Sequence, residues 1–342
     1  MKVVVDDKIP YIREAIEKIA DEVVFLPGKD FTPQVVNDAD ALIIRTRTHC
    51  NEALLKDSKV QFIATATIGY DHIDTAYLKQ KGIAWTNCPG CNAASVGQYL
   101  RSTLLLLKRE KNLDLTTCTL GIVGVGHVGK EVLKVAEELG IRTLLCDPPR
   151  ALAEGEEGFV SLQQIAQQCN VITFHTPLTK EGEHATYHLA DSHFFASLQQ
   201  KPYLINSSRG EVVDNQALLQ ALEQGQIADA IIDVWENEPQ LLLPLLYKVY
   251  IGTPHIAGYS ADGKANATRM SLQALCRHFG KNVEFTITPP PLPADFQPSS
   301  EKEVLALQLY NPQNDSNLLK LHPEKFEELR GNYPLRREFC TQ

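Results

Sequence analysis

The stretch from Thr119 to Asp147, TLGIVGVGHVGKEVLKVAEELGIRTLLCD, constrains this chain more than any other. Leu120, Ile122 and Val123 form a short apolar run suited to a buried strand. Gly124-Val125-Gly126-His127-Val128-Gly129 follows as a G-x-G-x-x-G. Val128, Val132, Val135 and Leu139 recur at helical spacing, Gly140 stands where a helix would stop, and Thr143 to Cys146 make a second strand closed by Asp147. Strand, glycine turn, helix, strand and terminal acid in that order describe one unit of a doubly wound parallel sheet.

Each part has a physical task if the unit holds a dinucleotide. The first glycine permits a tight turn, the second lets backbone approach a pyrophosphate, and the third lets helix and strand pack closely. The helix N-terminus offers free N–H groups to the anion. Asp147 would accept hydrogen bonds from the ribose hydroxyls and repel a 2′-phosphate, so the expected cofactor is NAD rather than NADP. Glycines punctuate many turns, so the motif alone says little. The register of all five features carries the reading.

A chain of 342 residues has room for two or three domains, and 44% apolar with 22% charged residues is an ordinary globular composition. A net charge of −9 with no basic tract argues against nucleic acid or membrane surfaces as partners. The acidic turn after Val5 does not resemble a secretory leader, and no apolar run reaches membrane-spanning length, so a cytoplasmic protein is expected. The eight cysteines are scattered and read as buried thiols. Cys88-Pro89-Gly90-Cys91 is a C-x-x-C, but it enters a long helix outside a thioredoxin-like unit. His184, His188 and His193 lack the spacing and cysteine partners of a zinc site, and no metal is expected.

The first ~95 residues repeat a βα rhythm. Strands are expected at Val3–Val5, Val23–Leu26, Ala41–Arg45, Gln61–Ala64 and Ile83–Thr86, with a helix over Tyr11–Ala20. Ligands of such a sheet sit beyond the carboxyl ends of its strands, where Arg45, Thr46, Arg47 and Thr67 lie. A buried helix over Ser95–Lys108 leads into the nucleotide unit. After Asp147 the PPR turn and AEGEEG stretch read as a surface loop, followed by a helix at Leu162–Gln168 and strands at Val171–His175, Tyr203–Ser207, Ala230–Asp233 and Val249–Ile251. Asp214 caps a helix over Asn215–Glu223, and another spans Ala265–Phe279. The proline-rich stretch Thr286–Ser300 reads as a linker to a short tail, strand-like over Val304–Tyr310 and helical over Pro323–Leu329.

The expected fold is α/β: two Rossmann-like doubly wound parallel-sheet domains plus a small α+β C-terminal segment. The boundaries are residues 1–94 with 259–285 for substrate, 95–258 for NAD, and 286–342 for the C-terminal segment.

Moving a hydride between NAD and an alcohol carbon requires a base, a group that orients the base, and a group that orients the substrate. His255 suits the base, since imidazole titrates near neutral pH. Glu238 suits the orienter, because a carboxylate on one ring nitrogen fixes the tautomer and stabilises the imidazolium. Arg209 offers a planar fork matched to a substrate carboxylate. Singly, each fits a bland role as a turn residue, a solvated acid or a surface charge. Jointly, at three strand ends downstream of the glycine motif, they form a catalytic set.

Gly124–Gly129, Asn206-Ser207-Ser208-Arg209-Gly210, Asp233-Val234-Trp235-Glu236-Asn237-Glu238-Pro239 and Thr253-Pro254-His255-Ile256-Ala257-Gly258 resemble the signature segments of the D-isomer-specific 2-hydroxyacid dehydrogenases. A narrower likeness within the family rests on Ala64–Asp74, Leu145–Pro149, Gly258–Ser260 and Asn332–Phe339. The resemblance implies NAD-dependent oxidation of a phosphorylated 2-hydroxy acid by a homodimer, with the C-terminal segment as its dimerisation element. It places Arg209, Glu238 and His255 in the active site. Gly124, Gly126, His127, Val128, Gly129, Asp147, Thr176, Ser207, Ser208, Asp233 and Gly258, with Arg209 and His255, take cofactor positions. Thr46, Thr67 and Tyr259 take substrate positions, and charge at a strand end adds Arg45 and Arg47 for the phosphate. Two other readings stay open: a family member acting on 3-phosphoglycerate or glycerate/hydroxypyruvate, and a non-enzymatic NAD-sensing protein like the family's corepressors.

Overall fold

A computed structural model describes residues 1–339 of the chain. The chain divides into two compact units, Met1–Asn92 with Ser260–Ala294, and Ala93–Tyr259 with the segment that starts at Asp295.

The first unit carries β1 (Lys2–Asp6), β2 (Glu22–Leu26), β3 (Ala41–Ile44), β4 (Phe62–Thr65) and β5 (Ala84–Thr86), all parallel, in the order β2-β1-β3-β4-β5. Apolar side chains alternate between its faces. Val3, Val5, Ile43 and Ala64 pack with Ile16 and Ile19 of the helix Arg13–Ile19 and with Leu272 and Leu275 of the helix Ala261–His278. Val4, Leu42, Ile44 and Ile63 pack on the other side with Val36, Leu54, Leu55 and Leu78. Burial on both faces explains why these strands read as unbroken apolar runs. Each fully buried Ile, Leu or Val contributes about 1.5–3 kcal/mol. The order reverses between β1 and β3, so the loops after Asp6 and Ile44 open at a switch point.

The second unit carries β6 (Thr119–Val123), β7 (Arg142–Cys146), β8 (Val171–Phe174), β9 (Tyr203–Asn206), β10 (Asp229–Ile232) and β11 (Ile251–Gly252), parallel throughout, in the order β11-β10-β9-β8-β6-β7. Ile172, Phe174, Leu204 and Ile232 face Ile165, Leu218 and Leu245, while Leu120, Ile122, Ile205 and Ile231 face Leu100, Leu104 and Val132. The switch point here falls between β6 and β8, so the glycine turn and the His175-Thr176 loop open side by side.

Two expectations are corrected. The PPR-AEGEEG stretch is a helix over Pro148–Glu154, with Asp147 as its cap accepting from Arg150 N at 3.1 Å. Asp before Pro-Pro is a helix-start pattern that the acidic composition had obscured. The tail over Val304–Tyr310 is helical, as Lys302–Leu309, and further helices span Pro312–Leu321 and Phe326–Gly331. Its Leu, Ala, Glu and Lys favour helix, and buried Ala306 and Tyr310 stand four apart, a helical spacing. Leu319 and Phe326 join the second unit's core. The proline-rich stretch carries neither helix nor strand.

Candidate active site

The three motif glycines are required for three different reasons. Gly124 has φ +88, and a Cβ there would stand 2.7 Å from the His175 carbonyl carbon. A Cβ on Gly129 would come within 2.2 Å of Gly124 O, so this glycine permits close helix–strand contact. A Cβ on Gly126 would meet nothing of the protein. Folding does not demand a glycine at 126, and its bare backbone leaves room for a bound group. Gly126 caps the helix His127–Glu138 without a side-chain hydrogen bond, so His127 and Val128 open a helix whose N–H groups face outward for an anion.

Asp147 is tied back to this turn. Its Oδ2 accepts from Val125 N at 2.8 Å, and Arg150 Nη1 donates to Val125 O at 2.6 Å. Beside it opens a largely apolar cleft of about 430 Å³, walled by Gly126, Asp147, Pro148, His175, Thr176 and Leu189. His175 Nδ1, Thr176 Oγ1 and Ser207 Oγ, after β8 and β9, are buried without a hydrogen-bond partner. Buried polar atoms are rarely left so, and His175 and Thr176, which line this cleft, suit a ligand that completes them. Burial pushes the His175 imidazole down to about 3, so it is a neutral wall group. Open glycine, free helix end and orphaned polar atoms together fit a dinucleotide.

Three strand ends carry the candidate reacting groups of this unit. After β9, Asn206 organises the turn: its Oδ1 accepts from Ser208 N and Oγ at 3.1 and 2.9 Å, and its Nδ2 donates to Arg209 O at 2.9 Å. Arg209 is exposed, with Nη1 donating to Ser208 O at 2.7 Å. A Cβ on Gly210 would lie 2.0 Å from Trp235 O, so this loop rests directly on the one after β10.

That loop carries Glu238, whose Oε1 accepts from Trp235 N at 2.9 Å and whose Oε2 lies 2.8 Å from His255 Nδ1. Burial opposes its ionisation, but the hydrogen bond and charge of His255 and the Trp235 N–H hold its carboxyl below the usual value. Asn237 and His255 adopt φ 59 and 58, a conformation costly for residues other than glycine and concentrated at functional sites. Asp233, 1% exposed, holds the His255 loop: Oδ1 accepts from Thr253 Oγ1 at 2.6 Å and Ile256 N at 2.8 Å, and Oδ2 from Ala257 N at 2.9 Å. Burial raises its pKa. Gly258 and Tyr259 continue the same loop, and the Tyr259 ring meets Tyr333 edge-on at 6.2 Å.

The substrate candidates of the first unit gather at its own strand ends. Arg45 Nη2 lies 3.3 Å from Asp6 Oδ1, so its charge is partly engaged, while Thr46 and Arg47 are exposed. Thr67 Oγ1 lies 2.6 Å from Thr65 Oγ1 and donates to Gly69 O at 2.8 Å.

Sequence reasoning missed Asn206 as the organiser of the Arg209 turn and two C-terminal arginines. Arg330 Nη1 approaches Glu238 Oε2 at 3.6 Å, and Arg336 binds the backbone after His255. The Asn332–Phe339 likeness marked the second without indicating its contacts. His188, Asp214 and Glu236 bring ligand-type atoms within 4.8 Å, but these side chains already bind one another or cap a helix. Cys88 is a buried thiol donating to Thr65 O at 3.4 Å and Ala267 O at 3.3 Å, and the seven described cysteines are free; Cys340 lies outside the described residues.

Comparison with known proteins identifies the family. Residues 97–257 match the family described as D-isomer specific 2-hydroxyacid dehydrogenase, NAD binding domain. The chain is 61% identical over 338 residues to an erythronate-4-phosphate dehydrogenase of Bacteroides thetaiotaomicron, covering 99% of this chain and 97% of that one. It is 43% identical over 352 residues to an erythronate-4-phosphate dehydrogenase of Escherichia coli O157:H7, covering 100% and 93%. Among solved structures, NAD-bound 3-phosphoglycerate dehydrogenase of Entamoeba histolytica is similar at TM-score 0.66 and 26% identity, over 82% of this chain and 95% of that one.

Proposed function

From the premise that the chain belongs to the D-isomer-specific 2-hydroxyacid dehydrogenases, among the erythronate-4-phosphate dehydrogenases, we propose that it oxidises 4-phospho-D-erythronate to 2-oxo-3-hydroxy-4-phosphobutanoate with NAD, in vitamin B6 biosynthesis. The observation that carries the chemistry is the 2.8 Å contact between Glu238 and His255 beside a dinucleotide unit. The choice of substrate rests on the near full-length likeness to the two bacterial enzymes.

Glu238 accepts the Nδ1 proton of His255, which leaves the Nε2 lone pair free for the proton of the C2 hydroxyl. As that proton arrives the ring becomes an imidazolium, stabilised by the ionised carboxylate. Arg209, exposed at the end of β9, binds the substrate carboxylate through its planar fork and polarises the oxygen at C2. The glycine turn, the N-terminus of His127–Glu138 and Asp147 would hold the cofactor, with Thr176 and Ser207 completing its polar contacts. Bound NAD supplies the acceptor for the hydride that leaves C2. The balance is one hydride lost from carbon and one proton lost from oxygen, leaving a 2-oxo acid.

We assign substrate recognition to the first unit, through Thr46, Thr67, Arg45 and Arg47, and NAD binding to the second. Homodimerisation through the C-terminal segment is supported by exposed Leu318 and Leu321 on its helix Pro312–Leu321. Among the described residues no helix is long and apolar enough to cross a membrane. The functional test compares initial rates of NADH formation with 4-phospho-D-erythronate, 3-phosphoglycerate and D-glycerate. A preference for the first is expected, and an equal or reversed preference rejects the substrate assignment.

A further inference from the structure

The C-terminal segment buries a guanidinium against the loop that carries the catalytic histidine. We propose that Arg336 is a positioning residue of this active site: it fixes the backbone of residues 256–259 and so keeps His255 in aim. The inference rests on the dehydrogenase reading above.

Arg336 is 8% exposed. Its Nη1 donates to Ile256 O at 3.0 Å and Tyr259 O at 2.8 Å, and its Nη2 to Ala257 O at 2.6 Å and Ser95 Oγ at 3.2 Å. Nε donates to Gln98 Oε1 at 3.0 Å, and the Tyr310 ring lies 3.9 Å beneath the cation. These acceptors are carbonyl, amide and hydroxyl oxygens rather than carboxylates. Three of them belong to the four residues that follow His255.

Asp233 grips the same loop, accepting the N–H groups of Ile256 and Ala257. The peptide joining Ile256 to Ala257 is therefore held at its N–H by a buried carboxylate and at its C=O by a buried guanidinium, and the peptides on either side of it are each held by one of the two. Each charge is stabilised by the dipoles it holds, and each restrains them. This loop needs such restraint. It has no helix or strand of its own, and His255 stands at φ 58, which persists only where the surroundings over-determine it. Burying a charge is unfavourable unless its hydrogen bonds are satisfied, and here the loop carbonyls satisfy them. An ammonium could not reproduce the contact, because only the planar fork reaches three carbonyls at once. Arg330, from the same segment, approaches the other half of the dyad at Glu238.

The test compares wild type, Arg336→Lys and Gln98→Leu in steady-state and single-turnover kinetics. The substrate is 4-phospho-D-erythronate carrying hydrogen or deuterium at C2, and each protein also receives an NAD titration and a melting curve. Gln98→Leu loosens Nε and leaves the loop carbonyls paired. Arg336→Lys should lower kcat about a hundredfold, as expected for a misplaced base. At saturating NAD its isotope effect on kcat should rise as the chemical step becomes limiting. Gln98→Leu should move the same quantities the same way by less. A kcat loss that merely follows the count of folded sites, with the isotope effect unmoved, overturns the proposal, as does full activity of Arg336→Lys. If Arg336→Lys does not fold, unchanged kcat and isotope effect in Gln98→Leu overturn it. If wild type does not oxidise 4-phospho-D-erythronate, the functional reading fails instead, and the comparison is made with the 2-hydroxy acid it does oxidise.

Discussion

Glu238 Oε2 and His255 Nδ1 meet at 2.8 Å from two strand ends, 17 residues apart in sequence. Each partner is fixed separately, Glu238 by Trp235 N and the His255 loop by Asp233. The pair is therefore preorganised in the protein and does not wait for substrate to form.

Glu238→Gln should keep the ring in place and lose its charge partner. We expect kcat to fall about 10²- to 10⁴-fold with NAD affinity retained, read by initial rates and a binding titration. The wild-type carboxyl lies below its ordinary value, so its ionisation adds stability above the ordinary carboxylate pKa. That contribution is lost as pH falls through the depressed value. The variant should therefore show a shallower fall of melting temperature in acid.

Gly126→Ala and Gly129→Ala separate binding from folding. The first adds a methyl where the protein has nothing within 4 Å, so it should melt like wild type and bind NAD about tenfold or more weakly. The second drives a Cβ to 2.2 Å from Gly124 O and should lower the melting temperature by several degrees, about 2 kcal/mol or more. Equal melting temperatures for the two would contradict the roles assigned to them.

Asp147 both holds the glycine turn and caps the helix Pro148–Glu154. Asp147→Ala should cost about 1 kcal/mol of stability through the cap. It should also reduce the preference for NAD over NADP by removing the charge that repels a 2′-phosphate. Ratios of kcat/KM for the two cofactors provide the check.

His175, pushed down to about 3 by burial from an ordinary 6.5, binds its proton far better when unfolded. Its contribution to stability is therefore complete above the ordinary value and is lost progressively as pH falls below it, at up to about 1.4 kcal/mol per pH unit. His175→Gln, which does not titrate, should flatten the decline in unfolding free energy between about pH 6 and about pH 4. An unchanged slope in denaturant titrations would contradict the buried, neutral assignment.

Periodicity located the strands because their side chains are buried on both faces, as Val3 to Val5 and Val171 to Phe174 show. The residues proposed as catalytic were legible because each follows such a strand, and the family likeness implied their roles. What escaped notice was set by tertiary contact. Val304–Tyr310 read as strand-like from its short apolar run, whereas it belongs to the helix Lys302–Leu309 and its cap, with Ala306 and Tyr310 buried one helical turn apart. Arg336 gave no local signal, since its acceptors lie about 80 to 240 residues earlier in the chain. Asp233, expected at the cofactor, has its two carboxylate oxygens turned to the His255 loop, a contact no spacing rule announces.

In the proposed reaction His255, aimed by Glu238, takes the C2 hydroxyl proton as the substrate is oxidised. The most direct test is single-turnover NADH formation from 4-phospho-D-erythronate by wild type and His255→Asn, with NAD binding measured on both. At saturating NAD the variant should lose at least about two orders of magnitude in the rate of the single turnover. A variant that turns over at the wild-type rate would contradict it.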